Sequence, residues 1–213
     1  MTEYDMMPHE QASTLMLVEP LIATGKTETG VVVAGNGSTS VFRGTKNHVK
    51  MGTDDVAGIG DSVEDVVMVH NHPICASLSS NDIEALFGSR WREMRVVCVL
   101  DDGWMRIFRL RFKQPNHATK KSPCDNFVTL DFWEWEATHM KTGMKTILPK
   151  GSGWIKHEQV VPIWKVHTEN MRRLAASKLG RKHLLYGEFK LRHDVMCAFA
   201  RECGGSRILK AGR

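Results

Sequence analysis

A chain of 213 residues, 42% apolar and 25% charged, is long enough to bury a core and too evenly mixed to be fibrous or intrinsically disordered. No apolar run approaches the roughly 18 residues of a membrane-spanning helix, and the acidic start MTEYDMMPHEQ is unlike a secretory leader, so a cytoplasmic protein with no membrane partner is expected. The net charge of +5 is unevenly spread: residues 1–30 hold five acids against Lys26, while Arg172, Arg173, Arg181, Lys182 and Arg192 gather in the last third. Such a gradient suits contact with nucleic acid or an acidic protein, and equally a solvated helical surface.

In chain order, Ala12 to Ala23 reads as a short helix interrupted or kinked by Pro20. ETGVVVAGNGSTSVFRG then reads as a hairpin, with strands Val31 to Ala34 and Ser38 to Phe42 around the turn Gly35-Asn36-Gly37. Residues 44–65 are rich in Gly, Asp and Thr and predict a long loop, of the kind that rims an active site. A short apolar strand, Val66 to Val69, ends at His70. A helix follows from Ser80 to Gly88.

MRVVCVL (94–100) and WMRIFRLRF (104–112) predict two further strands joined by the DDG turn. The broken alternation of Arg106, Arg109 and Arg111 points to an edge or a bulge. Residues 113–126 form a polar break, and DFWEWEATHMKTGMKT (131–146) is a possible helix, with Trp133, Trp135 and Trp154 as a satellite core or a protein-binding surface. Residues 161–180 predict the longest helix, opened by Pro162 and capped by Gly180. A last helix covers His193 to Arg201 and stops at Gly204-Gly205. Strands first and helices later predict an α+β fold, or an α/β/α layering. The five cysteines are odd in number and scattered, with neither zinc-pair spacing nor a disulfide framework, which favours a reducing compartment.

Chemistry concentrates in VVMVHNHPICASLSSNDIEAL, residues 66–86. Alternation along a strand turns His70 and His72 to one side and Asn71 to the other. Asp82 falls in the first turn of the next helix, near enough for its carboxylate to return towards the imidazoles. Two histidines and one aspartate are a donor set for catalytic zinc, with a fourth position for water. Such a site still needs a general base from elsewhere. Ser79 has two available roles, as the helix cap or as a donor to an oxyanion. The alternative reading is an ordinary strand, turn and capped helix with no metal. Cys75, three residues after His72, could add a soft ligand and so close the site.

The H-N-H-P run of His70, Asn71, His72 and Pro73, followed by Ser79 and Asp82 as S-x-x-D, resembles the signature of the JAB/MPN family, the JAMM-type zinc metalloproteases. The resemblance spans about residues 12–112, and its loop from Pro73 to Ser79 is one residue shorter than the commonest family form. It implies a cytidine-deaminase-like MPN core, a mixed β-sheet flanked by helices, with a helical C-terminal extension. It also implies one Zn2+ per chain held by His70, His72 and Asp82, with Ser79 aiding the oxyanion. Glu28, just before the first apolar strand, matches the family's general base. Glu19 is the reserve, and Glu64 is too close to the histidine strand.

The chain then divides into a metalloprotease core at 1–112, an insertion or linker at 113–160 and a basic helical segment at 161–213 that packs on the core. The implied activity is hydrolysis of peptide or isopeptide bonds, in a protein or peptide substrate such as a ubiquitin-like tail or a cell-wall peptide. RadC-like proteins, associated with DNA, share the fold and the H-N-H-P run and form the alternative, as does a metal-free MPN scaffold. A homodimer through the N-terminal helix is compatible with the apolar pattern. His48 and His139 read as isolated turn or surface residues.

Overall fold

The computed structural model describes residues 4, 7–45, 65–73, 75–89, 91–113, 163–176 and 178–211. The loop expected at 44–65 lies almost wholly outside them, as do Glu64, His48, His139, the three tryptophans 133, 135 and 154, and the helix expected at 131–146.

The first helix, α1 (His9–Ile22), precedes the hairpin of β1 (Thr29–Val33) and β2 (Thr39–Arg43). Gly37 closes the hairpin turn at φ 80°, in the left-handed region open to glycine, and a Cβ there would press on Thr14 and Glu10 of α1. Next come β3 (Val67–Asn71), α2 (Ser80–Ser89), β4 (Glu93–Val99) and β5 (Trp104–Phe112). From residue 163 on, α3 (Ile163–Ala176), α4 (Lys178–His183), β6 (Leu184–Arg192), α5 (His193–Glu202) and α6 (Gly205–Ala211) complete the described chain.

The strands form one six-stranded sheet in the order β2-β1-β3-β4-β5-β6. Only β3 and β4 run parallel among these neighbours. A parallel pair needs a crossover, and α2 supplies it. That crossover brings the end of β3 and the start of α2 to the same end of the sheet, which is why residues at 70–72 and 82 can meet.

Two cores lie on opposite faces of the sheet. On one, Leu15, Val18 and Ile22 of α1 cover Val31, Val33, Val67, Val69 and Val97, with α5 and α6 packed against α1. On the other, Leu78, Ile83, Leu86, Met171 and Leu174 cover Val32, Met68, Val96 and Leu110. Each fully buried aliphatic side chain contributes roughly 1.5–3 kcal/mol of transfer free energy, so the two layers of helices hold the sheet from both sides. The architecture is therefore α+β, a mixed sheet flanked by helices. The apolar side of α1 is covered within the chain.

Three expectations are corrected. β5 is neither an edge nor bulged: it pairs without interruption with β4 and β6. Its arginines break the alternation because each has its own partner, Arg106 with Glu188, Arg111 with Glu93, and Arg109 over the ring of Phe189. Second, the segment 161–213 is not wholly helical, since β6 extends the sheet along the full length of β5. Third, Gly180 does not cap the long helix. α3 ends at Ala176, and Gly180 lies inside α4, where a Cβ would come within 2.0 Å of the Leu174 carbonyl oxygen. The site therefore requires glycine for close backbone approach.

The cysteine reading is corrected too. Cys75 and Cys98 form a disulfide, with Cα atoms 5.1 Å apart, while Cys197 and Cys203 are free. Cys75 is consequently no metal ligand, and cysteines that include a formed disulfide do not favour a reducing compartment. Among the described residues, no helix is long and apolar enough to cross a membrane.

Candidate metal centre

β3 delivers His70 and Asn71 at its end, and the two residues face opposite sides of the sheet. Asn71 turns towards the chain before β1: its Nδ2 donates to the carbonyls of Gly25 and Thr27, and its Oδ1 accepts from the Thr29 amide at 2.7 Å. These bonds lock the end of β3 to the start of β1. His70 is buried on the other face, and His72, just past the strand, is buried beside it.

Asp82 arrives from α2. Ser79 precedes the helix, and its carbonyl accepts the first helical bond from Ile83. The Asp82 amide donates to Ser79 Oγ at 3.3 Å, while the Ser79 amide and hydroxyl both donate to Asp82 Oδ2 at 2.7 Å. This is the reciprocal capping box that Ser-x-x-Asp predicts. It also fixes the carboxylate, so the capping role of Ser79 and the orientation of Asp82 are one arrangement.

The three side chains converge. His70 Nε2 lies 3.1 Å from His72 Nε2 and 3.1 Å from Asp82 Oδ1, and His72 Nε2 lies 3.5 Å from Asp82 Oδ2. Among the described residues they form the one group of three able to hold a metal ion. Four-coordinate zinc at about 2.0–2.1 Å from each ligand requires donor atoms roughly 3.3 Å apart, and the observed separations bracket that value.

The protonation pattern agrees with this fit. His72 Nδ1 lies 3.1 Å from the Ala76 carbonyl, so that nitrogen carries the hydrogen and Nε2 of the neutral ring presents its lone pair to the cluster. His70 Nδ1 is buried without a partner among the described residues, so His72 is the better oriented of the two. Burial opposes a charge on His72, but the Asp82 hydrogen bond and charge outweigh it, and Glu28 adds to them; the imidazole pKa is raised. Burial likewise opposes ionisation of Asp82, yet the two histidines hold its carboxyl well below the usual range. With the His72 lone pair and the Asp82 carboxylate turned to one point beside His70, the three side chains could hold a cation.

Glu28 belongs to this face. β1 and β3 are antiparallel with Gly30 opposite His70, so continuing the register sets Glu28 opposite His72. Glu28 is also two residues before Gly30, on the same side of the sheet. It is half-buried, its backbone is held by Gly44 and Thr45, and its charge reaches His72. Glu19 is elsewhere. It accepts from Tyr4 at 2.6 Å and pairs at 2.8 Å with Arg95, which also donates to Glu93 at 2.5 Å. Arg95 neighbours Val96, the partner of His70, and so points to the opposite face. Burial raises the Glu19 pKa despite Arg95. The reserve base is thus part of a buried ionic network under α1.

Two residues near the centre went unnoticed in the sequence. His167, buried on α3, has its ring centroid 6.4 Å from that of His72 and its Nδ1 3.3 Å from the Ser77 carbonyl. Tyr186, on β6, has its hydroxyl 3.3 Å from Ser77 Oγ. A signal existed for His167, since His167, Met171 and Leu174 occupy one stripe of an amphipathic helix and are all buried.

A scan against protein-family models gave no match, and neither curated proteins nor solved structures yielded a similar chain.

Proposed function

We propose that this chain is a zinc-dependent hydrolase of peptide or isopeptide bonds, of the JAMM type that its H-N-H-P and S-x-x-D motifs resemble. The observation that carries the reading is the convergence of His70, His72 and Asp82 at separations suited to zinc, with Glu28 on the same side of the sheet.

His70, His72 and Asp82 would hold the ion. When bound, zinc lowers the pKa of a water towards ~7 and polarises a carbonyl, the two needs of amide hydrolysis. Glu28 accepts the proton from the attacking water and passes it to the leaving amine, and a positioned base of this kind contributes roughly 10²- to 10⁴-fold in rate. Ser79 Oγ turns from Asp82 to donate to the developing oxyanion. Asp82 tolerates that turn because the Ser79 amide still donates to the same oxygen.

The substrate is a protein or peptide, with a ubiquitin-like tail or a cell-wall peptide as the chemical classes to try. The test is cleavage of fluorogenic peptide and isopeptide substrates of both classes. The expected result is activity that a chelator abolishes, that added zinc restores and that Glu28→Gln lacks. Cleavage indifferent to chelation would overturn the proposal.

A further inference from the structure

Three consecutive residues of the loop between His72 and Ser79 are each tied to a different part of the molecule. Cys75 is joined to Cys98 on β4. The Ala76 carbonyl takes the His72 imidazole, and the Ser77 carbonyl takes the imidazole of His167 from α3. Ser77 is fully buried, and its hydroxyl meets that of Tyr186 from β6. The Ala76 and Ser77 carbonyls are separated only by the φ and ψ of Ser77. With Ser77 buried and held at both its carbonyl and its hydroxyl, those torsions have little freedom, so what holds Ser77 restrains the Ala76 oxygen that sets the His72 tautomer.

We infer that His167 and Tyr186 are positioning residues for the metal centre, acting through the Ala76-Ser77 segment to hold His72 with its Nε2 lone pair towards Asp82. This rests on the proposed zinc site and deepens it: the metal-holding unit extends beyond residues 1–112 into α3 and β6. His167 Nδ1–H donates to the Ser77 carbonyl, which leaves the same ring tautomer in His167 as in His72. Burial raises the Tyr186 pKa, which keeps the phenol protonated and able to bond the Ser77 hydroxyl. Partners one step removed from a metal ligand typically change affinity by about 10–100-fold when lost.

The test uses the whole chain with His167→Ala, His167→Asn and Tyr186→Phe. Asparagine can place its amide nitrogen where the Nδ1 donor stood. Zinc affinity, read by competition with a chromogenic chelator, should fall about 10–100-fold in His167→Ala, recover to within about threefold of the parent in His167→Asn, and fall severalfold in Tyr186→Phe. A second readout needs no metal. Ring-nitrogen NMR of metal-free protein at pH 9 should find His72 as the Nδ1–H tautomer in the parent and as a tautomer mixture in His167→Ala, with the asparagine variant restored. If the parent binds no zinc, the zinc-site proposal fails while the NMR comparison still decides the positioning role. Parent-like tautomers in all three folded variants would overturn the inference, as would parent-like zinc affinity in all three. Should His167→Ala fail to fold, the asparagine and phenylalanine variants decide.

Discussion

The Nε2 atoms of His70 and His72 lie 3.1 Å apart, and Asp82 presents one carboxylate oxygen to each. Two imidazole nitrogens at that distance need a proton or a cation between them. Asp82→Asn keeps the shape and removes the charge that draws a cation, so it should abolish zinc retention at micromolar free metal. Ser79→Ala should act on two quantities at once. Loss of the cap should cost about 1 kcal/mol of stability in a denaturant titration. Loss of the hydroxyl, with the Ser79 amide still donating to Asp82, should weaken zinc binding by about tenfold at most in chelator competition.

Glu28 and Glu19 should separate cleanly by substitution. Glu28→Gln should retain zinc and fold stability while losing roughly 10²- to 10⁴-fold in turnover. Glu19→Gln should leave turnover near that of the parent, because Glu19 lies across the sheet from His70. Glu19→Ala should instead destabilise the fold by about 1–3 kcal/mol, since Arg95 keeps Glu93 but loses its buried bond to Glu19. Turnover and chemical denaturation measured on the three variants check all of this.

How much of this was legible depended on the reach of each relationship. His70, His72, Ser79 and Asp82 are local, and strand alternation followed by a capping box brings them together with little tertiary help. Glu28 required a register between β1 and β3, and the motif resemblance rather than periodicity selected it. β6 was missed although Leu185, Phe189 and Leu191 alternate with Tyr186, Glu188 and Lys190; Gly187 and the charges diluted the strand signal. Arg95 and Glu93 sit on an inward face where alternation predicts apolar residues, and only the arrival of Glu19 from α1 accounts for them. The Cys75–Cys98 pairing could not be deduced from five cysteines, because connectivity depends on which strand the loop crosses.

Zinc occupancy should depend on pH in a defined direction. Protons compete with the metal for His72 Nε2, and the His72 pKa is raised from its ordinary 6.5, chiefly by the Asp82 hydrogen bond acting against burial. Apparent affinity should therefore be steady above that raised value and fall about tenfold per pH unit below it while this one imidazole dominates. The low pKa of Asp82 keeps its carboxylate charged through the same window. Chelator competition from pH 9 to pH 5 measures the profile. A break below 6.5 would contradict the raised His72.

The disulfide has a calculable weight. Cys75 and Cys98 are 23 residues apart in sequence, and closing a loop of that size restricts the unfolded chain by about 3 kcal/mol. Replacing both with serine should lower the melting temperature by roughly 6–12 °C for a protein of this size. Calorimetry of the double variant beside the oxidised parent tests it.

Whether the zinc centre exists is decided by the metal content of the protein. Elemental analysis of the freshly purified chain, repeated after equilibration with excess zinc and removal of the unbound ion, should give one zinc per chain. The same analysis on a His70→Ala, His72→Ala double variant should give none. A parent chain without zinc before and after equilibration would contradict the zinc centre and the hydrolase built on it.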